Sequence, residues 1–63
     1  MYHSKNHYEV GDMWKVKQSD KEIYFIVLEV DKDIGIRVRE VLRDRDYTVF
    51  NGSRFDVDAI KVA

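Results

Sequence analysis

Apolar and polar residues alternate with a period of two along most of this chain, which is the spacing of half-buried β-strands. In MWKVK (13–17), Trp14 and Val16 fall on one face while Lys15 and Lys17 fall on the other. QSDKE (18–22) is polar and predicts a turn. EIYFIVLEVD (22–31) is rich in β-branched and aromatic residues and predicts a long strand. Tyr24, Ile26, Leu28 and Val30 form one face of that strand, and Ile23, Phe25 and Val27 form the other. A strand apolar on both faces lies centrally, or bends so that each half faces a core, as small curved barrels require.

DKDIG (31–35) has the aspartates and glycine of a tight turn. GIRVREV (35–41) resumes the alternation, with Ile36 and Val38 inward and Arg37 and Arg39 outward. The pattern slips at Glu40-Val41-Leu42, which predicts a bulge or a strand end. LRDRD (42–46) reads as a charged loop. YTVF and SRF flank Asn51-Gly52, the strongest short hairpin signal. DVDAIKVA (56–63) reads as one helical turn near residues 56–59, capped by Asp56, then a short strand through Ile60 and Val62. A helix over 38–49 competes, because Val38, Val41, Leu42 and Arg45 have i, i+3, i+4, i+7 spacing. The last of these is charged, and the TVF that follows is poor helix material.

Five short strands with tight polar turns predict an all-β fold, a small antiparallel sheet rolled into a barrel. VGDMWKV followed by YFIVLEVDKDIGIRVREV resembles an SH3-like small barrel, over residues 10 to 41. It is similar to short phage and bacterial accessory proteins that open with a Gly-Asp-x-Trp strand. It also looks like the opening of KOW and Tudor-like barrels, but the glycines that follow in KOW motifs are absent, which argues against RNA binding of that type. The resemblance implies a binding fold with no built-in chemistry, in an accessory protein that binds and modulates a host protein. The expected organisation is a flexible or loosely packed leader over residues 1–9 and one barrel domain over 10–63.

Charge and composition narrow the function classes. Eleven basic and twelve acidic residues leave a net charge of −1, with neither the basic excess of a nucleic-acid binder nor the acidity of a DNA mimic. The absence of cysteine excludes disulfides and cysteine-ligated zinc, and suits a reducing cytoplasm, that of the host if the chain is phage-encoded. MYHSKNHYEVGD lacks the apolar run of a signal peptide, and IYFIVL is too short to span a bilayer.

The arginines are clustered. REVLRDRDYTVFNGSRF (39–55) holds Arg39, Arg43, Arg45 and Arg54, Arg37 lies just upstream, and every lysine lies outside this segment. Guanidinium groups favour bidentate phosphate or carboxylate partners and stack on bases. With Tyr47 and Phe50 nearby, the five arginines therefore form a candidate nucleic-acid face. Glu40, Asp44, Asp46 and Asp56 are interleaved with them, which points instead to a self-paired, solvated face. The aromatic set, Trp14, Tyr24, Phe25, Phe50 and Phe55, exceeds what one small core easily hides. The leading expectation is thus a module that binds another protein, with Trp14 and Phe25 as anchors and Arg37, Arg39 and Arg54 at the rim. Trp14 plugging the barrel end is the structural alternative, and a homodimer patch is a further use for the surplus aromatics.

Chemistry beyond binding finds little support. Asp31/Asp33, Asp44/Asp46 and Asp56/Asp58 have a chelating spacing but fall where turns or caps are expected. His3 and His7, spaced by four, lie in the leader beside Tyr2 and Tyr8, rings placed to fold over the barrel's open end. Ser19 and Ser53 have no histidine near them in sequence, although a Ser53–His7 contact in space would supply a base. No glycine-rich phosphate loop exists. No catalytic residue, metal or cofactor is expected.

Overall fold

The computed structural model describes residues 5–63. It contains β1 (Met13–Gln18), β2 (Lys21–Asp31), β3 (Gly35–Glu40), β4 (Asp46–Phe50), α1 (Arg54–Asp58) and β5 (Ile60–Lys61). They form one antiparallel sheet in the order β4-β3-β2-β1-β5. Residues 38–49 are therefore strand, turn and strand. The all-β expectation of five short strands with one helical turn holds.

The long β2 explains why its sequence is apolar on both faces. Phe25 and Val27 point into the core. The register then shifts between Val27 and Glu29, so that Glu29 faces outward beside Arg37 and Val30 lies opposite Ile36. One extra residue at Leu28 thus exchanges the inward and outward sets and bends the strand. The slip at Glu40 is a strand end, where Val41 N–H donates to the Tyr24 carbonyl at 2.9 Å. The core is Tyr8, Trp14, Val16, Phe25, Val27, Ile36, Val38, Val49 and Ala59, with Phe55 packed against it.

Two local expectations are corrected. Asn51-Gly52 does not turn a hairpin into a strand at SRF. Gly52 has φ of 78° but Asn51 does not take a positive φ, so the type I′ pair is incomplete. Ser53 instead caps α1, accepting from Asp56 N–H at 3.2 Å, while Gly52 N–H donates to the Asp56 carboxylate at 2.8 Å. The cap is Ser53 and not Asp56, which sits in the first turn with its carboxylate on the N–H of Gly52, the residue before the cap. Within residues 1–9, Asn6 and Tyr8 are held against the rest of the domain. Tyr8 is buried, its ring centroid 4.5 Å from that of Trp14, and its hydroxyl donates to Asp56 at 2.5 Å. Asn6 Nδ2 donates to the Asp56 carbonyl at 2.7 Å. Tyr2 and His3 lie outside the described residues.

The β1–β2 turn carries a small strain. Ser19 has φ of 53° in a two-residue connection between Gln18 and Lys21. A side chain there costs roughly 1 kcal/mol relative to glycine, part of which glycine returns as chain entropy. Ser19→Gly should therefore raise stability by about 0.5 kcal/mol, read as a melting temperature higher by about 2–4 °C.

Candidate functional site

The arginines are self-paired. Arg37 and Arg39 leave β3 on the outer face, where Arg39 forms a two-point contact with Asp46, Nε to Oδ1 at 2.8 Å and Nη2 to Oδ2 at 3.3 Å. Arg37 lies 3.5 Å from Glu29 and 3.7 Å from Asp46. Arg43 lies 3.7 Å from Glu40, and Arg54 lies 3.6 Å from Asp58, one turn on along α1. Arg45 alone has no carboxylate partner among the described residues. The hydrogen bond from Arg39 holds the Asp46 carboxyl below its ordinary value, and the same contact raises Arg39. A lowered carboxyl stabilises the folded state above the unfolded value near pH 4, and that contribution disappears as pH falls through the folded value. Asp46→Asn should accordingly be less stable than the parent at neutral pH, and the two denaturation midpoints should converge in acid. Both groups are solvent-exposed, so the difference is small and shrinks with salt.

Trp14 and Phe25 are not surface anchors. They are 5% and 1% exposed, because the inward parity of β1 and β2 points them into the core. Trp14 Nε1 finds no acceptor among the described residues, so packing is what this ring contributes. The exposed aromatics are Phe50, 59% accessible, and Tyr47 at 42%. Both flank a cleft of about 360 Å³ between β4, the β1–β2 hairpin and α1.

That cleft follows from the topology. β4 and β1 do not pair, so curling the sheet leaves a gap between them that α1 closes only in part. Phe25 and Val38 form its floor, and Ile23 and Phe55 face Tyr47 and Phe50 across it. The Phe25 and Phe55 rings stack at 5.2 Å, tilted by 41°. One acid enters this apolar surface. Glu40 is 8% exposed, accepts from the Tyr47 hydroxyl at 3.2 Å, and lies beside Arg43.

Of the residues singled out from sequence, Tyr47, Phe50, Arg43 and Phe25 meet at this cleft. Arg37 and Arg39 lie on the outer face, and Arg54 projects from α1. The sequence reading missed Glu40 and Ile23 as site residues. Glu40 had a signal, for it occupies the inward parity of Ile36 and Val38, where an acid is out of place. Asp31 accepts from the N–H groups of Asp33 and Ile34 as a turn residue, and no cluster of three or more acidic or histidine side chains placed to hold a metal occurs among the described residues. Ser53 is engaged as a cap, and His7 lies 3.4 Å from Glu9.

No protein-family model, curated protein or solved structure matches this chain. No helix among the described residues is long and apolar enough to cross a membrane.

Proposed function

We propose that this protein is a non-catalytic interaction module that binds another protein, and that its contact surface is the cleft beside β4. The observation that carries this reading is a concave apolar surface with two exposed aromatic rings at its rim, in a domain whose core is already filled. Exposed aromatics next to a desolvated pocket are the usual anchors of protein recognition. The SH3-like resemblance supports the same reading, and an accessory protein that occludes a host factor is the role it implies. The anchors are then Tyr47 and Phe50, in place of Trp14 and Phe25.

Nucleic-acid binding through the arginines is the weaker alternative. Four of the five guanidinium groups already face carboxylates, and phosphate would have to displace them. The test is panning of a displayed random-peptide library on the immobilised protein, beside amide NMR titrations with duplex DNA, single-stranded DNA and RNA at low and near-physiological salt. Enrichment of peptides that is lost in a Tyr47→Ser/Phe50→Ser variant supports the proposal. Absence of such peptides, with salt-sensitive amide shifts from Arg37 to Arg54 on adding nucleic acid, overturns it.

A further inference from the structure

The wall of the cleft formed by β4 is also a free sheet edge. Among the described residues β4 ends the sheet and pairs only with β3. Its ladder is framed by Glu40 N–H donating to the Arg45 carbonyl at 2.8 Å and Asn51 N–H donating to the Ile34 carbonyl at 2.9 Å. Hydrogen-bonded pairs alternate along an antiparallel ladder, so Arg45, Tyr47, Val49 and Asn51 turn their backbone groups toward β3. Asp46, Thr48 and Phe50 turn theirs away from it. The Phe50 carbonyl accepts from Ser53 N–H at 3.1 Å, and the remaining outward groups have no backbone partner among the described residues.

Free edges of this kind are ordinarily blunted by lysine, proline, a bulge or extreme shortness. The opposite edge follows that rule, since β5 is two residues long and ends in Lys61. β4 does not, for DYTVF has no lysine or proline, and its register with β3 is unbroken. Apolar side chains lie immediately beyond it, at Ile23 and Phe55 on the far wall. Arg45, the one arginine without a carboxylate partner among the described residues, immediately precedes β4.

We infer that β4 takes an extended segment of a partner protein as a sixth strand, whose alternate apolar side chains enter the cleft while a carboxylate reaches Arg45. The inference rests on the protein-binding reading and names the partner's form. Backbone hydrogen bonds to Asp46, Thr48 and Phe50 supply register, and the cleft selects apolar side chains at every second position. A second copy of this chain is the less suitable occupant. A copy pairing through its own β4 would bring its whole sheet against the Ile23 and Phe55 side of the cleft, whereas an isolated segment brings one strand.

The experiment uses the peptides recovered by panning and follows amide hydrogen exchange in the whole protein. Binding should slow exchange at Asp46, Thr48 and Phe50, with no comparable change at Tyr47 and Val49, whose amides are already in the ladder. Thr48→Pro removes an outward N–H that the fold does not use, a position where edge strands tolerate proline. It should weaken binding at least about tenfold. The same loss is expected on the unmodified protein when the peptide is N-methylated at the positions facing β4, and not when it is methylated at the positions between them. Peptides that shift Ile23, Tyr47 and Phe55 but leave those three amides unprotected, and that tolerate either methylation, would overturn strand addition while leaving the protein-binding reading in place. Concentration-dependent protection of the three amides without any peptide would also overturn it, by assigning the edge to a second copy.

Discussion

Gly35→Ala should remove most of the stability of this protein. Gly35 opens β3 at φ of 150°, opposite Phe50 in the β3–β4 ladder. A Cβ at this position would lie 2.0 Å from the Val49 carbonyl oxygen and 2.9 Å from Phe50 Cα. Both obstacles are backbone, so no side-chain rotation relieves the clash. Either the β3–β4 pairing opens or the turn after β2 is rebuilt. A domain of this size has roughly 3–9 kcal/mol of net stability. The substitution is expected to cost about 3 kcal/mol or more, through strain at a special backbone conformation as well as overlap. Denaturant unfolding followed by circular dichroism measures it, and hydrogen exchange should show the β3–β4 amides losing protection first. A cost below about 1 kcal/mol would mean that the turn has another path open to it.

Asp56→Ala should be nearly as damaging, although the residue lies in a five-residue helix. Asp56 is 2% exposed and its carboxylate accepts from Tyr8 and from Gly52 N–H. Alanine removes the acceptor of a buried hydroxyl and of a part-buried N–H. Each orphaned group costs about 1–3 kcal/mol, so a total near 3 kcal/mol is expected. Tyr8→Phe separates the contributions, since it deletes one donor and keeps the ring against Trp14. If the two residues act together, the double variant is less destabilised than the sum of the single changes by about 1 kcal/mol or more. Strict additivity would show that the contact contributes nothing beyond proximity.

The dependence on Asp56 also marks where local sequence stops deciding the fold. Asn51-Gly52 signals a hairpin, and Ser53-Arg54-Phe55-Asp56 signals a helix start; the two overlap and cannot both be obeyed. The helix is formed because Asp56 gains donors from Tyr8 and Asn6, some fifty residues away in the chain. The burial of Trp14 and Phe25 was hidden for a related reason. Period-two patterning shows that they share an inward parity with their neighbours, but not that this face closes completely. The self-pairing of the arginines was more legible, because the interleaved acids stand at spacings that a hairpin places side by side.

By itself, the sequence determined the strands β1, β2 and β3, the turns between them and the outward parity of Arg37 and Arg39, since these depend on neighbours a few residues away. The tertiary structure alone decided the exchange of faces at Leu28, the anchoring of Tyr8 and the cleft beside β4. The cleft exists because β4 and β1 are left unpaired in the five-stranded sheet, and α1, which touches both, does not fill the space between them. Strand propensity acts between residues close in sequence, whereas a gap between unpaired strands depends on how far the whole sheet bends.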